Sequence, residues 1–317
     1  MILCMDVKMQ GFFRLQVAGQ DGKVHTDTGW FPNLITNQGM DWFGGGAPNF
    51  NTSAGTPLCT HCGVGTGTTT PAFTDTALTT PLAMSPPSAG SNVEGVSAST
   101  FIAGPPAYWS NVKTYGFALG AVVGNISEVA IGNTASGNTT PQAFNHALIV
   151  DSGGNPTTIS VLVTDALTVT YELRYYINTT DTSYSGAISA VTYSGIYRRA
   201  SIGSVPSLFY QLSGTAGIGN PSISVFSGTI GAITSAPSGS GANANSITVG
   251  TYAPGTFFNS FTASFNAATG NFGAGGITAM LFTSSQGSWQ FSLSPFIPKT
   301  NLFTLTLQFN VSWARFP

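Results

Sequence analysis

From Leu167 to Tyr176 apolar and polar residues change places at every step. Leu167, Val169, Tyr171, Leu173 and Tyr175 fall on one side, and Thr168, Thr170, Glu172, Arg174 and Tyr176 on the other. A period of two is the pattern of a half-buried strand; a helix repeats every 3.6 residues and would scatter these side chains around its axis. The pattern returns near the end of the chain. There Phe303, Leu305, Leu307, Phe309, Val311 and Trp313 alternate with Thr304, Thr306, Gln308, Asn310 and Ser312. Two runs this long commit the chain to sheets.

The rest of the sequence agrees. Phe13, Leu15 and Val17 alternate with Arg14 and Gln16, and the Asp-Gly in residues 19–22 turns the chain into a return strand over 24–30. Before the first long run, residues 147–150 and 159–163 read as two more strands. The turn-forming Asp-Ser-Gly-Gly-Asn-Pro at 151–156 lies between them, which predicts three adjacent antiparallel strands. Shorter strands are predicted at 58–64, 97–102, 114–123, 128–131, 208–212, 222–226, 246–249, 257–265, 277–283 and 289–294. Gly124-Asn125 is read as a tight turn, and loops fall at 44–56, 85–95, 178–186 and 237–245. Residues 36–43 predict a short helix with Thr36 as N-cap, weakened by Gly39.

Many short strands with Gly, Pro and Asn turns define an all-β protein. The expected architecture is two tandem antiparallel β-sandwiches, jelly-roll-like, with long Gly/Ser/Thr/Asn loops. Residues 1–195 would form a docking and assembly domain, and residues 196–317 an outward-facing or partner-binding domain. The two halves end alike, each in a long alternating strand after a short turn, as related units would.

Composition narrows the functional classes. Charged residues make up 6% of the 317-residue chain, against roughly 25% in ordinary soluble domains. Such a surface shows Ser, Thr, Asn and Gly to water or is covered by neighbours. Nine Lys and Arg with a net charge of −2 leave no basic patch for a phosphate backbone, which argues against nucleic acid as a partner. The longest apolar run, at 117–123, is far below the ~20 residues a membrane helix needs. No signal-peptide pattern opens the sequence, and three cysteines are too few for a disulfide framework, as suits a reducing cytoplasm.

Few residues carry chemistry. Cys59-Thr-His-Cys62 is the only metal-like cluster, with Cys59 and His61 on one strand face and Cys62 on the other. A zinc site built on it would need a fourth ligand, His25 or His146; the alternative is a pair of buried thiols and an ordinary histidine. Glu172 and Arg174 share a strand face. They either pair at the surface, worth roughly 0–1 kcal/mol, or face a neighbouring subunit. Arg198 and Arg199 at the expected domain boundary are either a solvated linker or an anchor for an adjoining protein. Trp109, Tyr184, Tyr193 and Tyr252 could stack on sugars or fill core and subunit contacts. No Gly-x-Ser-x-Gly elbow or P-loop occurs, and Gly63-Val-Gly-Thr-Gly67 lacks a βαβ setting. None of the 11 carboxylates is placed as a glycosidase pair. The expectation is a protein that is not an enzyme and takes no cofactor.

Several stretches together resemble structural proteins of tailed bacteriophages. They are Trp30-Phe-Pro-Asn-Leu-Ile-Thr-Asn-Gln-Gly39, Cys62-Gly-Val-Gly-Thr-Gly67 with Thr74-Asp-Thr-Ala-Leu78, Ser127-Glu-Val-Ala-Ile-Gly132, residues 147–159, and Val169-Thr-Tyr-Glu-Leu-Arg174. The ending, Ile297-Pro-Lys-Thr-Asn301 with residues 305–315, is similar to the same group. The resemblance implies a tail-tip, baseplate or fibre-attachment component, made in the host cytoplasm and carried in the virion tail. Its partners would be copies of itself, as a trimer or ring, and other tail proteins. A receptor-binding module gripping host glycan or pilus, a capsid decoration protein and a polysaccharide depolymerase are the alternatives.

Overall fold

The computed structural model describes residues 1–44, 59–85, 100–133, 142–203 and 221–317. The strand expected at 208–212, the start of that at 97–102 and most of the loops at 44–56 and 85–95 lie outside them. In chain order the described strands begin with β1 (Ile2–Ala18), β2 (Val24–Asp27), β3 (Phe31–Ile35), β4 (His61–Gly65), β5 (Pro81–Met84), β6 (Thr100–Ile102) and β7 (Ala107–Phe117). Next come β8 (Gly124–Ile126), β9 (Glu128–Asn133), β10 (Gln142–Ala143), β11 (Asn145–Leu148), β12 (Ile159–Val161), β13 (Ala166–Ile177), β14 (Thr182–Ile188) and β15 (Val191–Ala200). The last are β16 (Ser222–Phe226), β17 (Gly241–Asn243), β18 (Ser246–Val249), β19 (Phe258–Phe265), β20 (Ile277–Ser284), β21 (Gly287–Ile297) and β22 (Leu305–Arg315). The helix α1 (Asn37–Phe43) follows β3. The protein is all-β, as its alternation predicts.

Strand β1 is the spine. Leu3, Met5, Val7, Met9, Gly11, Phe13, Leu15 and Val17 are all buried, while the residues alternating with them face out. Its first half runs parallel to β22, from Ile2 opposite Gln308 to Met9 opposite Arg315. Its second half pairs antiparallel with β13, from Lys8 opposite Tyr176 to Ala18 opposite Ala166. β13 continues to β7 and β6; through β3 the sheet reaches β11, β9, β4 and β5, and through β22 it reaches β19 and β18. A second sheet, in the order β14-β15-β21-β20-β16-β17, packs across β19 and β22. The seam is aromatic. Phe309 of β22 lies 5.4 Å from Phe282 and 5.8 Å from Phe291, centroid to centroid, and Phe261 lies 5.1 Å from Phe282.

The strand pairings do not divide the chain at 195/196. That point falls inside β15, which pairs with β21, and the large sheet takes strands from both sides of it. The two long runs that look alike, β13 and β22, both pair with β1, the first antiparallel and the second parallel.

Five local expectations need correction. The loops expected at 178–186 and 237–245 contain strand residues of β14 and β17, each held by ladder pairing to a neighbouring strand. Residues 147–150, 159–163 and 167–177 are not neighbours. β11 pairs with β3 and β9, β12 with β8, and β13 with β1 and β7. The turn at 151–156 does close, with the Asp151 carboxylate accepting from the N–H groups of Gly153 and Asn155 at 2.8 and 2.9 Å. The next strand then departs to another partner. The strand at 114–123 starts earlier, at Ala107, and ends at Phe117; Leu119 and Val123 are half exposed. Gly124 and Asn125 open β8 rather than making a tight turn.

The helix forms where predicted. Thr36 Oγ1 accepts the Gly39 N–H at 3.0 Å and donates to the Ala143 carbonyl at 2.8 Å, so one hydroxyl caps α1 and ties it to β10. Gly39 belongs there because a Cβ would overlap the Phe144 carbonyl. Gly132 is more tightly held: a Cβ there would overlap the backbone carbonyl of Gln142, which cannot swing away as a side chain could. Gly132→Ala is expected to pry β10 off β9 and cost at least about 3 kcal/mol, read from the shift in denaturant midpoint. A midpoint within error of wild type would show that this contact relaxes freely.

Candidate functional site

The three candidate metal ligands of the sequence, Cys59, His61 and Cys62, have separate surroundings. Cys59 and Cys62 are both buried and free, and burial raises their thiols, Cys59 to about 12. Burial lowers the His61 imidazole, helped by the charge of Lys113, and its Nδ1 lies 2.7 Å from Thr60 Oγ1. Among the described residues no group of three or more His, Cys, Asp or Glu is placed to hold a metal ion. The two histidines considered as a fourth ligand have other partners. His25 faces Asp165 at 3.3 Å, and His146 is enclosed by two carboxylates.

That enclosure is the densest polar cluster described. His146 on β11 is 1% exposed, with Nδ1 2.7 Å from Asp75 and Nε2 3.0 Å from Glu128. Glu128 opens β9 and is fully buried; besides His146 it accepts the N–H groups of Gly67, Thr79 and Thr80 at 3.1, 3.0 and 2.7 Å. Burial pushes the Glu128 carboxyl up, but the hydrogen bonds from His146, Thr80, Thr79 and Gly67 outweigh it and hold the group at about 2. Burial likewise opposes charge on His146, and its two carboxylate partners reverse that and raise it above the ordinary 6.5. Two carboxylates around one imidazolium orient it and leave neither ring nitrogen free for proton transfer to a substrate. The cluster pins residues 66–80 onto the sheet. Glu128 and His146 each sit inside an apolar strand run, and that is the signal that could have revealed them.

Glu172 and Arg174 pair with each other, 2.9 Å apart, and Ser110 Oγ donates to Glu172 at 2.6 Å. The Arg174 guanidinium lies 4.1 Å from the centroid of Phe12 and 4.9 Å from that of Tyr108. Both charged heads are therefore engaged inside one molecule. Arg198 bridges to Asp181 at 2.6 Å and donates to the Gly231 carbonyl at 3.1 Å. Arg199 is not a linker residue. It lies in β15, is 4% exposed, and its guanidinium sits 4.1 Å over the Trp289 ring and donates to the Gln286 carbonyl. Of the aromatics, Trp109 and Tyr193 are core; Tyr252 stacks on Trp313 and donates to Asp41 at 2.6 Å. Tyr184 is half-buried and packs edge-on against Phe291.

Two open clefts lie side by side at the end of β22, one between β1 and β13 and the other between β1 and β3. One, of about 340 Å³, is bordered by Asp6, Lys8, Pro106, Tyr176, Asn178 and Phe316. The other, of about 390 Å³, is bordered by Gln10, Leu34, Phe73, Arg315 and Phe316. Phe316 belongs to both. A patch of exposed aliphatic side chains lies elsewhere, at the β8–β12 pair. Leu119, Val123, Leu162 and Val163 are each half exposed or more, and Leu82 nearly so. Their backbones lie near one another: Val161 of β12 pairs with Gly124 of β8, a Cβ at Gly120 would lie 3.5 Å from Val163, and one at Gly124 3.7 Å from Leu82.

No protein-family model matches the chain, and no match to it occurs among curated proteins or solved structures. Among the described residues no helix is long and apolar enough to cross a membrane.

Proposed function

We propose that this chain is a structural component of a bacteriophage tail, at the tip, the baseplate or a fibre attachment, and that it works by assembling with copies of itself and with neighbouring tail proteins. The observation that carries the assembly reading is the aliphatic patch of Leu82, Leu119, Val123, Leu162 and Val163. Contiguous exposed apolar surface of this kind is characteristic of interaction sites. Charge is scarce to begin with, and Glu128, Arg199 and Lys299 are spent in the interior, which leaves the outside poorer still in solubilising groups. The placement in a tail rests on the resemblance of the sequence stretches quoted above.

Two variants separate this surface from the one around Glu172. Val163→Asp places a carboxylate in the middle of the patch and is expected to weaken self-association by roughly tenfold or more. Glu172→Ala with Arg174→Ala is expected to leave association unchanged, because the two charges pair with each other within one molecule. Sedimentation velocity over a concentration series reads both. A wild-type protein that stays monomeric at high concentration rejects the assembly reading, and a particle reconstruction with no density for the chain in the tail rejects the placement.

A further inference from the structure

We infer that the paired clefts flanking Phe316 form a binding site for a neutral glycan, with one pyranose ring against the free face of Phe316 and the next along its edge. The inference stands on the clefts alone and does not depend on the assembly reading.

Phe316 is held rigidly. Its N–H donates to the Met9 carbonyl at 2.7 Å, and one face of its ring stacks on Tyr176 at 3.7 Å and 18°. The Tyr176 hydroxyl in turn donates to Gln10 at 2.9 Å. The ring therefore stands as a fixed apolar partition, with its remaining surface bordering both clefts. A pyranose carries axial C–H groups on its faces and hydroxyls around its rim. It is suited to a wall that is apolar at the centre and hydrogen-bonding at the edge.

The edges supply those groups. In the first cleft Asp6 and Lys8 offer an acceptor and a donor of opposite charge, and among the described residues neither is in an ion pair. The adjoining loop is set by Asn178, whose Oδ1 accepts from the N–H and hydroxyl of Thr180 at 2.9 and 2.7 Å. In the second cleft the Arg315 guanidinium is fixed by the Ile35 carbonyl at 2.6 Å and Asn37 Oδ1 at 2.9 Å, and lies 4.1 Å from the Phe73 centroid. Groups locked in place before a ligand arrives spare it the entropy of ordering them. The opposed charges of Asp6 and Lys8 cancel, so a ligand in the first cleft needs no net charge. Volumes of about 340 and 390 Å³ fall at the low end of the roughly 300–1,000 Å³ of small-molecule sites, so each cleft suits a sugar unit rather than a large cofactor.

The test is saturation-transfer NMR on the full chain with maltotriose, cellotriose and chitotriose as probes, each at millimolar concentration. Transfer to the ring protons of at least one trisaccharide is expected. Phe316→Ala should weaken that binding by about tenfold, the equivalent of ~1.4 kcal/mol. Asp6→Asn, an exposed and nearly isosteric change, should weaken it several-fold without touching the core. Leu302→Ala, at a side chain that is 87% exposed and borders neither cleft, should leave it unchanged. Absence of transfer from all three sugars overturns the proposal, and so does transfer that neither Phe316→Ala nor Asp6→Asn diminishes.

Discussion

His146→Gln is expected to destabilise the protein by about 3–5 kcal/mol, because it strands a buried carboxylate. Glu128 is fully buried and His146 is 1% exposed, so no solvent can step in for the lost cation. The effect carries a pH signature. The folded-state pKa of His146 is raised above 6.5, so its contribution is complete below 6.5 and is lost as pH rises through the raised value. Glu128 has the opposite sense. Its carboxyl is lowered from 4.5 to about 2, so its contribution is complete above 4.5 and is lost as pH falls through about 2. Both are in force together between about 4.5 and 6.5. Urea denaturation across pH should show the gap between wild type and His146→Gln widest there and narrowing on the alkaline side. A gap that does not change from acid to alkaline pH would mean that His146 carries no charge in the folded protein. Asp75→Asn should cost less, since the Asp75 side chain is 26% exposed and water can replace part of what it does.

Phe309→Ala should cost about 3–5 kcal/mol, the range for removing a large aromatic side chain from a close-packed interior. Phe309 is fully buried on β22 and touches Phe282 and Phe291 of the opposing sheet, so truncating it opens a cavity at the seam between the two sheets. Phe309→Leu keeps most of the volume and should cost less than about 1.5 kcal/mol. Phe258→Ala, on the neighbouring strand β19 but 41% exposed, should cost still less. Equal losses at Phe309 and Phe258 would show that the seam does not hold the sheets together.

How much of this was legible in the residues depends on range. β13 and β22 announce themselves because burial on one face writes a period of two directly into the sequence. The first half of β1 carries the same period, with Leu3, Met5, Val7 and Met9 alternating with Cys4, Asp6 and Lys8. β14 and β15 are harder. Ser, Gly and Tyr dominate Thr182–Ile188, half of which is exposed, and the hydrophobic contrast is too weak to mark a strand. Pairing partners could not be read at all. β1 and β22 meet from opposite ends of the chain, and period alone carries no address. The same holds for polar groups. Arg199 follows Arg198 in sequence, yet strand alternation turns one toward Asp181 and the other over Trp289 in the interior. The clefts around Phe316 are assembled from β1, β3, β13 and the end of β22, segments that only the folded chain brings together.

The parallel partnership of β1 and β22 sets a timetable for biosynthesis. Met5 lies opposite Val311, so the spine leaves the ribosome roughly three hundred residues before the strand that completes its first half. At about 5–20 residues per second that wait lasts about 15–60 s, with a long apolar edge unpaired. A nascent chain of this kind needs shelter from its own siblings on the same message until β22 has emerged.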